Sequence, residues 1–274
     1  MTPEAHDYLA REAGARVEID KDNQQVLAPR VDLHLQVQEA LIAQMADHVA
    51  KLVEQTDFDP AAENRAAAAW LLAARAMALA RALTTLLRAG FCTEVEPIAR
   101  ALSEVLRLIP LILDPKEEKV WDEWCSEKDW SRPKSLTRAE IEHQNREAAA
   151  MLKRGYKPPG RTHEENKSEY EASSKHVHPQ REAILESWDE RGRRFLPGPE
   201  RSVVTQAVWV HFGDQWIKDA CVTCGMVMTR LQPPQERGAF WEGVVETGLE
   251  KLAKVEQVAP LDPQHMQDVG GSLT

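Results

Sequence analysis

Very little in this sequence advertises chemistry. It has no glycine-rich phosphate loop, no dinucleotide-binding glycine fingerprint, no Gly-x-Ser-x-Gly elbow and no His-Glu-x-x-His pair. The local arrangements that cradle phosphates, present a nucleophilic serine or hold zinc on one helix face are therefore not written here. Cysteine is sparse, with four in 274 residues, which excludes a disulfide-built scaffold and fits a reducing compartment. Positive charge is in deficit: 34 Lys and Arg against 44 Asp and Glu give a formal net charge of -10. Phosphate neutralisation supplies most generic nucleic-acid affinity, so only a local basic patch is left to bind RNA. Long hydrophobic runs are also missing. The longest strongly apolar one, Leu108 to Leu113, is far short of the roughly 20 residues that cross a bilayer. The first seven residues, Met1 to Asp7, lack both a basic and an apolar region, so no secretory signal is expected. The expectation is a cytoplasmic protein with no membrane span. No fixed-period repeat and no sustained strand alternation occur; one weak strand is conceivable near 193–196.

What is present is helical periodicity. Hydrophobic residues make up 43% of the chain, enough for a sizeable core. Asp32 reads as an N-cap, followed by Leu33, Val37, Leu41, Met45, Val49 and Leu52 at three- to four-residue spacing, which predicts a helix over 32–55. Residues 61–89 are dense in Ala, Leu and Arg, with Pro60 before and Gly90 after, the usual order of helix start and stop. A third helix is predicted over 92–113, a long one over 202–230 and a last one over 236–255. Trp121 and Trp124 share a face of an acidic helix that starts after Asp114-Pro115. The fold class expected is all-α: a multi-helix bundle over 32–256 with an irregular helical elaboration at 114–180. It is flanked by an N-terminal arm, 1–31, and a flexible tail, 257–274.

Four constellations carry potential chemistry. Arg100, Glu104 and Arg107 share one helix face. Glu104 lies in line with Ala101, Leu108 and Leu111, so its carboxylate is expected to be partly buried, and a buried carboxylate needs a partner. The readings are an ordinary intrahelical ion pair or a polar seam that meets another helix. Second, Ser174, His176 and His178 cluster ahead of Pro179. His178 is either an acid/base group, since histidine titrates near neutral pH, or a helix-end cap. Third, Cys221-Val222-Thr223-Cys224 has the spacing of a zinc or redox pair. It lacks a second ligand pair and a βαβ context, so two small core residues are the reading, with no metal and no cofactor. Fourth, Trp209 and Trp216 mark one face of a helix, and Lys153, Arg154, Lys157 and Arg161 make a basic loop. The loop is either simply solvated or an anion or RNA contact.

Gly90, Arg100, Glu104, Asp114-Pro115, Ser174 and His178, spread over residues 35–230, resemble a bacterial all-helical family of unknown function. That family is similar in turn to the HEPN superfamily, many of whose members are RNases or toxins of defence and stress systems. The resemblance implies an Arg100/Glu104/His178 catalytic site and an RNA or protein partner; the substrate contacts expected beside it are Ser174, His176 and, from the basic loop, Lys157 and Arg161. The superfamily's nucleases place Arg, then four to six residues, then His on one helix. Here Arg161 precedes His163 by two positions and Arg201 precedes His211 by ten. A non-catalytic helical interaction protein is the alternative. Eight tryptophans, several at helical spacing, together with the superfamily's habit of dimerising, lead to the expectation of a homodimer.

Overall fold

A computed structural model describes residues 3–55, 58–59, 61–62, 64–92, 94–125, 188–189, 194–195 and 203–261. The architecture is an all-α helical bundle. In chain order it comprises α1 (Pro3–Gln55), α2 (Arg65–Arg88), α3 (Val95–Leu113), α4 (Glu118–Cys125), α5 (Val203–Leu231), α6 (Arg237–Phe240) and α7 (Thr247–Val258). Two short strands, β1 (Trp188–Asp189) and β2 (Arg194–Phe195), pair antiparallel with Trp188 opposite Phe195.

Helix α2 is the centre, packed by α1, α3 and α5. Its buried line is Ala69, Ala73, Ala76, Ala80, Leu83 and Leu87, all with no exposure. The alternating three- and four-residue spacing keeps this line on one face. Alanine lets neighbouring backbones come close, and Leu83 and Leu87 supply the larger side chains of this buried line. Each fully buried leucine contributes about 1.5–3 kcal/mol. Asn64 caps the start, its Oδ1 accepting from the Ala67 amide at 2.9 Å. At the other end Gly90 takes φ 80°, while Phe91 N–H donates to the Leu86 carbonyl and Gly90 N–H to that of Leu87. This left-handed close is what glycine at that position permits. Helix α2 is also long and apolar enough, by length and composition, to cross a bilayer, and half of that stretch is buried inside the bundle.

Three expectations need correction. Helix α1 begins at Pro3 and runs through Pro29, so Asp32 lies inside a helix and is no N-cap. Pro29 is exposed; the carbonyl whose partner it removes can be hydrated, which keeps the helix tolerable. The phase of α1 also differs. Val31, His34, Leu35, Gln38, Leu41, Ile42, Met45, Val49 and Leu52 are buried, while Leu33 is exposed. Finally, Ala259 and Leu261, at the head of the expected flexible tail, are buried.

The last helical stretch is not uniform. Between α6 and α7, Trp241–Glu246 form a wide π-helical turn. It turns Val244 and Val245 together into the interior. Gly225 of α5 accepts Val245 so closely that a Cβ there would collide with Val245 Cγ2. At the far end, Arg65 of α2 answers the open end of α3. Its guanidinium donates to the carbonyls of Ile112 at 2.9 Å and Asp114 at 2.8 Å and lies over the Trp121 ring at 5.2 Å. Orphan carbonyls at a helix C-terminus attract such a cation. Trp121 stacks on Trp124 at 5.7 Å, as their spacing predicts.

Candidate functional site

The sequence-predicted pair is present. Arg100 Nε donates to Glu104 Oε1 at 3.2 Å within one turn of α3. Arg100 is 18% exposed and Glu104 38% exposed, so the pair sits at the surface side of the helix. His178, Ser174, His176, Lys157 and Arg161 lie outside the described residues, and so does the expected approach of His178 to Glu104.

The Cys221 and Cys224 thiols are buried on α5. Cys224 Sγ is 3.7 Å from the Ala73 carbonyl of α2. Burial pushes the Cys221 thiol up to about 12 and that of Cys224 up as well, by desolvation and then by the charge of Cys221. Both stay protonated near neutrality, and a protonated thiol is a poor ligand and nucleophile. Among the described residues no three His, Cys, Asp or Glu side chains gather closely enough to hold a metal ion.

Sequence reasoning missed a polar cluster at the centre of the bundle. His34 and Gln38 project from α1, Thr84 from α2 and Asp214 from α5, and all four are buried. His34 Nδ1 is 2.6 Å from Asp214 Oδ2, and its Nε2 is 2.8 Å from the Ala259 carbonyl. Gln38 Nε2 donates to Asp214 Oδ1 at 2.7 Å and to the Val210 carbonyl at 3.2 Å. Thr84 Oγ1 donates to Gln38 Oε1 at 3.3 Å. Gly213 leaves room for this amide, since a Cβ there would lie 3.2 Å from Gln38 Nε2. The register explains the convergence. His34 and Gln38 are i,i+4 on α1, and Asp214 continues the buried line Val203, Ala207, Val210, Ile217 of α5.

The partners fix the protons. A carbonyl only accepts, so His34 Nε2 carries a hydrogen. Asp214 completes the pairing by accepting from Nδ1, making an imidazolium–carboxylate pair. Burial by itself would lower the histidine and is the largest single influence. The hydrogen bond to Asp214, its charge, the Ala259 carbonyl and the charge of Glu256 together outweigh it, and the ring is held above its ordinary 6.5. A base needs a free ring lone pair, and here both nitrogens are engaged in bonds to the protein. In this state the cluster joins α1, α2, α5 and the segment after α7, and does not offer a reactive nitrogen.

The outer side of α5 carries a different feature. Trp209, Phe212 and Trp216 form a triangle with ring centroids 6.3–6.4 Å apart. The two tryptophans lean on the core, while Phe212 is 47% exposed. Between α1 and α2 lies a shallow apolar cleft of about 250 Å³, lined by Val49, Trp70, Ala74, Met77 and Ala78 with Arg81 as its charged member. The Trp70 indole N–H is already given to the Val49 carbonyl at 3.0 Å.

No family model, no curated protein and no solved structure matches this chain.

Proposed function

We propose that this protein is a non-catalytic, cytoplasmic helical interaction protein that self-associates through the aromatic face of α5. The observation that carries the reading is the Trp209–Phe212–Trp216 triangle. Aromatic side chains supply large contact area at low conformational cost and are enriched in interface cores. Two of these rings are anchored by the core, so little order remains to be lost on association. A two-fold pairing would set each α5 face against its own copy, the commonest arrangement of soluble oligomers. The buried cluster supports the same reading, because its polar groups are spent on one another. An RNA-binding or RNA-cleaving role in a defence or stress system, as the HEPN resemblance implies, is less favoured. The Arg100 guanidinium already faces the Glu104 carboxylate, which repels a phosphate, and the chain carries a formal net charge of -10.

Light scattering on the purified chain at micromolar concentration tests this. The wild type is expected at twice the chain mass and Phe212→Glu at the monomer mass with unchanged helicity. A monomeric wild type overturns the proposal. Binding of a mixed-sequence single-stranded RNA that weakens with salt and is lost in Arg100→Ala would transfer the function to RNA.

A further inference from the structure

The chain after α7 is docked, and its docking passes through a titratable group. Ala259 and Leu261 are buried. His34 Nε2 donates to the Ala259 carbonyl at 2.8 Å, and Arg30, one turn earlier on α1, donates to the Pro260 carbonyl at 3.2 Å. Two consecutive carbonyls of one short strap are thus held by two cationic side chains of a single helix. The buried holder of the two is the histidine.

We propose that His34 is a proton-operated latch: its cationic ring clasps the strap Ala259–Leu261 to α1 and α5, and loss of one proton lets the strap go. The balance is simple. The imidazolium has two N–H groups and two acceptors, Asp214 Oδ2 and the Ala259 carbonyl. When one proton leaves to solvent, the ring keeps a single hydrogen. That hydrogen stays between Nδ1 and Asp214, because a bond to an ionised carboxylate is stronger than one to a neutral carbonyl. Asp214 is further fixed by Gln38. Nε2 then presents a lone pair to the lone pairs of the Ala259 carbonyl, and both groups are buried without a donor. Buried unpaired acceptors are costly, and the relief is outward movement of the strap with water taking its place.

The charges around the ring set the direction. On α1 these are Arg30 and Asp32, the latter tied to Arg88 of α2 at the surface. On α5 they are Asp214 and Lys218. From α7 comes Glu256, which Lys218 holds at 2.5 Å. Thr84, the α2 residue that joins this cluster, does not titrate. The acidic members dominate at the ring, in keeping with its upward displacement. For a group raised on folding, the stabilisation is complete below the unfolded value and fades as pH rises through the folded one. The latch is therefore closed in acid and opens as pH rises through the His34 midpoint, which lies on the alkaline side of 6.5.

Nuclear magnetic resonance on the full chain tests this. The readouts are the His34 ring proton shifts and the exchange rate of the Ala259 amide, which donates to the Val255 carbonyl, corrected for intrinsic base catalysis. His34 is expected to titrate above 6.5. Across that midpoint Ala259 exchange should accelerate by about tenfold for each unit of upward displacement of the midpoint. Glu256→Gln, away from the buried pair, should lower both midpoints together, and His34→Gln should leave exchange at Ala259 flat with pH. Exchange that follows intrinsic chemistry alone through the His34 titration overturns the latch, as does a His34 midpoint at or below 6.5. If either variant fails to fold, the wild-type titration decides alone.

Discussion

Two polar arrangements of the same protein differ in almost every physical respect. Arg100 and Glu104 sit four residues apart on one helix, partly in solvent, and are joined by a hydrogen bond within one turn. His34, Gln38, Thr84 and Asp214 come from three helices, lie wholly inside and leave no nitrogen unbonded. The first pair can be replaced by water at smaller cost, because solvent already reaches both charges in part. The second cannot, because each member is the other's only substitute for solvent. The polar groups most visible in a sequence are thus the ones that matter least for holding the helices together.

Mutation can break or sharpen this contrast. The largest effect is expected at Asp214→Ala, which strands a cationic ring and an amide inside the bundle. A loss of about 3–5 kcal/mol in urea unfolding is the expectation for removing one partner of a buried pair; a loss below 1 kcal/mol, roughly what one neutral hydrogen bond contributes, would mean that water already reaches the cluster. Thr84→Val keeps the shape and removes only the hydroxyl that serves Gln38, so about 1 kcal/mol should be lost. Arg88→Gln is the intermediate case. Arg88 reaches both Asp32 at 2.9 Å and Glu39 at 2.5 Å from the surface of α2; a loss of roughly 0.5–1 kcal/mol that shrinks in high salt is expected. Smallest of all is Glu104→Gln, at about 0.5 kcal/mol or less. Should Glu104→Gln rival Asp214→Ala in the same denaturation series, the contrast between the two sites fails.

The same contrast explains what could be read beforehand. Helices α2, α3 and α5 were legible because their apolar residues recur at helical spacing, and Gly90 marks a stop that only a positive φ requires. The start of α1 was not, since Gly14 and Pro29 read as breaks while the chain runs helically through both. The Arg100–Glu104 contact was legible because a helix alone brings i and i+4 together. The His34–Asp214 contact joins residues 180 positions apart, and no local rule specifies it. A signal did exist: His34 and Gln38 stand four apart in line with Val31 and Leu41, and Asp214 stands between Val210 and Ile217, each a polar residue in an apolar register. Misplacing the buried stripe onto Leu33 and Val37 hid it. The shared face of the two tryptophans of α5 was legible from their spacing; they touch the core, yet the triangle they complete with Phe212 faces outward.

The π-helical turn at Trp241–Glu246 has an angular consequence. An α-helix advances about 100° per residue, whereas a wide turn lags behind, as though one residue had been slipped into the spiral. Everything downstream inherits that delay: Gly248, whose missing Cβ makes room for Leu41, then Leu252 and Val255 on the inner side, and finally the Ala259 carbonyl that His34 grips. Forcing these six residues into ordinary α geometry would leave every downstream side chain unchanged in identity yet point each one about 100° astray, and excising one residue at the same time would restore the phase. In this protein the phase of the last helix is a stored quantity, set by six residues and read out some thirteen residues later at an imidazole.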